Sequence, residues 1–151
     1  MGKESIYNRL LEDLKTAMRE KNSLKIAVIR HLRAALKNEM ISKKGELSEG
    51  DEINVLTRAV KMRREAMESY EKGGRDELVR KERKELEIIQ EYLPRQLTEK
   101  EITKIVEEAI VELKAETITD LGRVMAVVMP KVKGRADGRM VQQIVKDKLG
   151  G

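Results

Sequence analysis

The residues of this chain with the clearest capacity for chemistry are cations placed around an elbow between two helical segments. Four lie close together and a fifth comes shortly before them: Lys131, Lys133, Arg135, Arg139 and Arg123. Gly134 and Gly138 would let the backbone approach a ligand closely, and free N–H groups at a helix start favour anions. Asp137 can cap the last helix, which would use some of those N–H groups and add an opposing charge. The elbow is nevertheless typical of a phosphate site and predicts nucleic-acid binding.

A second group of cations lies further towards the N-terminus, within the predicted second helix. Arg30, Arg33 and Lys37 are spaced i, i+3 and i+7, and between positions 24 and 44 the only acid is Glu39. Like charges at this spacing repel each other unless an anion offsets them. A solvated face whose long side chains cover apolar neighbours fits the pattern equally well. We include these three cations among the candidate nucleic-acid-binding residues and keep the solvated face as the alternative.

Residues for catalysis, cofactor binding or metal ligation do not emerge from the sequence. There is no cysteine, and the only histidine, His31, cannot form a metal site alone. Gly45 and Gly50 have the spacing of a phosphate loop, but the acids Asp51 and Glu52 follow where Lys and Ser/Thr are required. The serines form neither a Ser-Ser pair nor a nucleophile elbow. We therefore predict no catalytic residue, no cofactor and no metal.

The composition indicates an all-α fold. Charged residues make up 39% of the chain and aromatic residues 2%, with no Phe and no Trp, so the core must be aliphatic with methionine. Apolar residues at helical spacing predict seven helices. Pro94 marks a boundary between an N-terminal bundle of about four helices (1–93) and a C-terminal three-helix domain (94–151). Thr98 and Glu101 are expected to form a capping box, and Pro130 is expected to end the sixth helix.

Two features of the sequence bear on where in the cell the protein is found. No apolar run approaches the roughly 20 residues that a membrane span needs. The first residues lack the apolar stretch of a secretory signal. A cytoplasmic protein with no membrane partner is the resulting expectation.

Four stretches of the chain resemble the YqeY-like family. They are Leu121–Val141, Glu68–Arg75, Lys81–Leu86 and Glu91–Pro94. Members of this family are small relatives of the C-terminal tail of the B subunit of aspartyl/glutamyl-tRNA amidotransferase. The resemblance implies a helical fold and a connection with transfer RNA. It also implies an association with carbon–nitrogen ligation that uses glutamine as amido donor.

The leading functional hypothesis combines this resemblance with the cationic clusters. It is a tRNA-binding accessory module linked to glutamine-dependent tRNA amidation, without a catalytic centre of its own. Its expected partners are tRNA and, in addition, amidotransferase subunits or another translation-linked protein. The alternative is a protein–protein adaptor that docks an amidotransferase or another translation-linked complex. Participation in the ligation itself and the oligomeric state stay open.

Overall fold

A computed structural model describes residues 4–150 of the chain. Within that range the protein has no strand and consists of helices joined by short connections, so the all-α prediction is confirmed. A 3-10 turn over Ile118–Asp120 precedes the sixth helix. The seven α-helices are α1 (Ile6–Arg19), α2 (Ser23–Lys43), α3 (Glu49–Lys72), α4 (Asp76–Gln90), α5 (Glu99–Leu113), α6 (Leu121–Val132) and α7 (Gly138–Lys148). None of these helices is long and apolar enough to cross a membrane.

The helices fall into two compact units that divide along the chain between Leu93 and Pro94. Residues 1–3 and 151, which the predicted domain limits include, lie outside the described range. The first unit contains α1–α4, and its largest fully buried side chains are Leu10, Val28, Ile29, Leu32, Leu36, Leu56 and Ile89. The second unit contains α5–α7, with Ile102, Val106, Val124, Val128, Val132, Val141 and Val145 at its centre. Each unit therefore has its own aliphatic core.

Side-chain caps start most of the helices. The side chains of Ser5, Asn22, Ser48, Thr98 and Asp137 each accept a hydrogen bond from a backbone N–H in the first turn that follows. Such caps satisfy N–H groups that have no partner inside the helix. The predicted capping box of Thr98 and Glu101 is confirmed, with hydrogen bonds in both directions.

A buried carboxylate fixes the start of α1 against α3. Glu52 is only 4% exposed, and its two oxygens accept hydrogen bonds from the backbone N–H groups of Ile6 (3.2 Å) and Tyr7 (2.9 Å). These N–H groups are the first two of α1, where the helix dipole favours a negative charge. Glu52 thus acts as a cap supplied by another helix.

Tyr92, just after α4, links the end of that helix to α1. Its side chain is buried, its hydroxyl donates to Asp13, and the guanidinium of Arg9 lies 5.0 Å from its ring centre. Burial, and secondarily the hydrogen bond to Asp13, raises the pKa of the Tyr92 hydroxyl well above its usual range. The Tyr92 hydroxyl therefore stays neutral while its side chain links the end of α4 to α1.

The C-terminal ends of three helices use lysines in the left-handed region. Lys44 and Lys114 cap α2 and α5 with φ of 57° and 55°, and Lys21, just after α1, has φ of 58°. Gly74, which follows α3, has φ of 69°, the left-handed conformation in which glycine commonly stops a helix. For a residue with a Cβ atom this conformation costs about 1–2 kcal/mol.

The expectation that Pro130 ends the sixth helix is wrong, because α6 continues to Val132. Proline removes the hydrogen bond to the carbonyl of Ala126, four residues earlier. Both Ala126 and Pro130 are exposed, so the carbonyl left without its helical partner lies on the side that water can reach. The interruption also falls in the last turn of the helix. Val132 is consequently still presented to the core of the second unit.

Candidate functional site

The cationic elbow is held to the start of the second unit through its backbone. The Leu97 N–H donates to the Arg135 carbonyl at 2.8 Å, and the Gln96 amide donates to the Gly134 carbonyl at 2.9 Å. Gly134 has φ of 74° and is buried. It therefore serves a tight turn, and its burial means that the turn, rather than an exposed ligand-binding surface, accounts for the glycine.

Two of the five elbow cations are engaged with backbone carbonyl groups. Arg135 Nε donates to the Arg95 carbonyl at 3.0 Å, and one terminal nitrogen of Arg123 donates to the Leu113 carbonyl at 2.7 Å. Leu113 is the last residue of α5, so Arg123 satisfies one of the carbonyls that a helix end leaves without a partner. These arginines have structural roles that the sequence pattern did not reveal.

The start of α7 is already capped by a carboxylate. The Asp137 side chain accepts from the Arg139 N–H at 3.1 Å, in the position where a bound phosphate would compete. Lys131 and Lys133 are exposed and form no ion pair with any residue between positions 4 and 150. The elbow thus presents two unpaired lysines beside an occupied helix start, and fewer donors to an anion than its sequence suggests.

The first turn of α5 contains Glu101, the acid of this unit whose pKa is shifted most strongly. Arg95 forms two hydrogen bonds to the Glu101 carboxylate, at 3.0 and 2.8 Å. The hydrogen bond from Arg95, followed by that from the Thr98 backbone, lowers the pKa of Glu101 from 4.5 to about 2. The ionised carboxylate is therefore the form that belongs to the folded state.

Replacing Glu101 with Gln should make the stability of the second unit less dependent on pH. A lowered pKa in the folded state means that the carboxylate contributes stability above its ordinary value of 4.5, and that this is lost as pH falls towards about 2. Glu101→Gln should therefore melt below the unmodified protein at neutral pH, and the two should converge near pH 2. Far-UV circular dichroism melts across this range measure the difference. Glu99→Gln is the control in the same turn, and a melting difference for Glu101→Gln that is independent of pH would contradict the assignment.

The cations predicted on α2 divide into two kinds. The Arg33 guanidinium lies 4.6 Å from the ring centre of Tyr7, and its Nε is buried without a hydrogen-bond partner. Arg30 and Lys37 are exposed and have no ion pair within the described part of the chain. They belong to a solvent-facing surface, the α2 exposed face, formed by Ala27, Arg30, His31, Ala34, Lys37, Asn38 and Ile41. The structure therefore leaves Arg30 and Lys37 on one exposed face of α2, two turns apart, whereas Arg33 packs on Tyr7.

A polar cleft in the first unit was not anticipated from the sequence. It lies between α2 and α3, has a volume of about 300 Å³, and is lined by Glu39, Lys43, Asp51, Asn54, Thr57 and Arg58. The hydrogen bond from Lys43, ahead of those from Ser48, lowers the pKa of Asp51 to about 2. The spacing of Asp51, Asn54 and Arg58 on one face of α3 was the signal that could have indicated it.

Metal binding has no evident place in this arrangement. Over residues 4–150 there is no group of three or more His, Asp or Glu side chains that could hold an ion. His31, the sole imidazole, is exposed on α2.

Comparison with known proteins gives one family and a consistent set of relatives. The model of the family described as Yqey-like protein matches residues 7–149. A relative from Pyrenophora tritici-repentis is 31% identical over 148 residues, which are 96% of this chain and 81% of that protein. Relatives from Lachancea thermotolerans and Eremothecium gossypii are 34% and 36% identical, over 74% and 56% of this chain. In these two the matched part spans 60% and 46% of the relative. All three carry the name Altered inheritance of mitochondria protein 41, mitochondrial.

These names correct two predictions. None of them mentions tRNA, ligation or an amidotransferase, and all are mitochondrial. The prediction of a tRNA-binding module linked to amidation, with an adaptor that docks an amidotransferase as its alternative, is therefore wrong. The expectation of a cytoplasmic protein is overturned by the same names. The prediction had transferred the role of the larger amidotransferase subunit to this chain. The names of the small relatives do not include that role.

The resemblance to the family itself is confirmed over almost the whole described range. The matching model begins in the first turn of α1 and extends to Leu149, one residue beyond α7. It therefore includes both compact units and every helix. The chain belongs to the family of Yqey-like proteins.

Proposed function

We propose that this chain is a helical binding protein of mitochondria that contacts an acidic partner protein through the α2 exposed face. One observation carries the proposal: this face has two unpaired cations, Arg30 and Lys37, and no acidic residue. The mitochondrial setting is taken from the names of the relatives. The chain spans only about half the length of several relatives that it matches. Any activity of those longer proteins is therefore only proposed for this chain.

The arrangement of small and apolar side chains favours a helix as the contacting element. Ala27, Ala34 and Ile41 recur every seven residues along α2, and Ile41 is 65% exposed. Arg30 and Lys37 repeat with the same period beside this apolar line. A seven-residue repeat with charges at its flank is the pattern by which two helices pack and choose their partners. A phosphate backbone would use the cations and leave the apolar line without a contact.

The partner's chemistry follows from this surface. Two small alanines permit close approach of a second helix, and Ile41 offers apolar area at one end. Carboxylates spaced to meet Arg30 and Lys37 would complement the charge and steer the encounter. An amphipathic helix with an apolar seam and flanking glutamates has this chemistry.

Reversing the two cations should weaken binding of such a helix by at least about tenfold, because two attractions become repulsions. The test uses a fluorescent synthetic peptide with leucines along one seam and glutamates at its flank. Its affinity for the full chain and for Arg30→Glu with Lys37→Glu is measured by anisotropy at several salt concentrations. We also expect the affinity of the unmodified protein to fall as salt rises.

The matched control is Arg80→Glu with Lys84→Glu, which makes the same charge change on the exposed surface of α4. It should retain most of the affinity, and circular dichroism should show both variants folded. Equal losses in the two variants would reduce the effect to net charge and contradict the proposal. Tighter, Arg30- and Lys37-dependent binding of an RNA oligonucleotide of equal charge would contradict it as well.

A further inference from the structure

The polar cleft between α2 and α3 lies on another side of α2 from the exposed face and calls for a separate explanation. Two ion pairs bound it, one between Lys43 and Asp51 and one between Arg58 and Glu39, where the nitrogen and oxygen are 3.2 Å apart. Glu39 and Lys43 are one turn apart on α2, and their partners come from α3. The cleft is therefore formed and held by ion pairs between α2 and α3.

An unpartnered hydroxyl lines this cleft. Thr57 Oγ1 is buried and has no hydrogen-bond partner. A buried polar group without a partner destabilises a fold, and native structures retain few of them. Asn54, also half-buried on α3, adds an amide that can donate and accept. The cleft thus has hydrogen-bonding capacity that the protein itself does not use.

The charges around the cleft restrict what can bind there. Its lining has two cations and two carboxylates. A simple anion would be repelled by Glu39 and Asp51, and a simple cation would be repelled by Lys43 and Arg58. A ligand that carries both signs avoids both penalties. A volume of about 300 Å³ is at the small end of ligand pockets and suits a small molecule.

The hydrogen-bonding atoms that the two ion pairs leave unused indicate how a ligand would be oriented in the cleft. Asp51 uses one oxygen for Lys43 and the other for the Ser48 N–H. Glu39 uses only Oε2, towards Arg58, and the side chain of Arg58 is 64% exposed with donors to spare. We propose that the cleft binds a small zwitterion, with its carboxylate at Arg58 and Lys43 and its ammonium at Glu39 and the Thr57 hydroxyl.

Three zwitterions with increasing charge separation test this proposal: glycine, β-alanine and γ-aminobutyrate. Each is titrated into the full chain at millimolar concentration, and the backbone amides are followed by heteronuclear NMR. We expect saturable shifts at Glu39, Asn54, Thr57 and Arg58 with at least one of them. Acetate and ethylammonium at the same concentrations should give no saturable shift. Failure of all three zwitterions, or equal shifts with acetate, overturns the proposal.

Two variants locate the effect. Glu39→Gln should weaken binding at least about tenfold by removing the carboxylate that faces the ammonium. Thr57→Val keeps the shape of the side chain, should weaken binding several-fold, and should not lower the melting temperature because the hydroxyl has no partner to lose.

Thr103→Val is the matched control, since its hydroxyl donates to the Glu99 carbonyl at 2.8 Å in the other unit. It should leave binding unchanged. Unchanged binding in both cleft variants overturns the proposal. So does a lower melting temperature for Thr57→Val, which would mean that a bound water already satisfies the hydroxyl. Loss of peptide binding at Arg30 and Lys37 has no bearing on these outcomes.

Discussion

Replacing Glu52 with Ala should lower the free energy of unfolding of the first unit by about 3 kcal/mol. The carboxylate is almost fully buried and accepts from the backbone N–H groups of Ile6 and Tyr7. Without it, the first two donors of α1 lose their partner in a place that water reaches poorly. Each unsatisfied buried donor costs about 1–3 kcal/mol. Urea unfolding followed by circular dichroism measures the change.

Two further variants separate this cap from a general effect of charge. Glu46→Ala removes an exposed loop carboxylate and should change stability by no more than about 0.5 kcal/mol. Glu52→Gln keeps one acceptor oxygen and should lie between the two. If Glu52→Ala is no more destabilising than Glu46→Ala, the carboxylate does not hold α1 in place.

Cavity-forming substitutions in the two cores should act separately. Leu32 and Ile102 are 0% and 1% exposed, one in each unit. Truncation of such a side chain to Ala costs about 2–5 kcal/mol through lost burial and the cavity that remains. We expect Leu32→Ala to reduce hydrogen-exchange protection in residues 4–93 and Ile102→Ala in residues 94–150.

The comparison between these two variants tests the predicted division of the chain near Pro94. In each variant, protection in the other unit should stay near that of the unmodified protein. Alanine substitution of the exposed Val111, which is 77% exposed, provides the background level. Loss of protection throughout the chain from either core substitution would contradict two independently stable domains.

Much of the fold could be predicted because helical spacing and caps are local signals. The capping box at Thr98 and Glu101 needs only three residues of separation, and the glycine stop after α3 needs two adjacent residues. Pro130 misled because its effect depends on where the lost hydrogen bond points, and this is set by the tertiary packing of α6.

Less of the candidate sites could be predicted, since they depend on contacts between helices. Arg33 has the same spacing as Arg30 and Lys37, yet Tyr7 from α1 takes it out of the charged surface. The polar cleft joins residues of α2 and α3 that no single motif connects. Glu52 did leave a signal. It is spaced i+3, i+4 and i+7 from the buried residues Val55, Leu56 and Ala59, so an acid stood in the apolar face of α3.

The lysines with left-handed backbone conformation at the helix ends indicate that the protein could be made more stable. Lys21, Lys44 and Lys114 stand at or just after helix C-termini, where a cation interacts favourably with the helix dipole by about 0.3–1 kcal/mol. Glycine in the same conformation would avoid a cost of about 1–2 kcal/mol, so lysine is the poorer choice for folding alone. At three separate surface positions the chain therefore retains room for stabilising change, which is expected of a natural protein whose selection stops once it is stable enough.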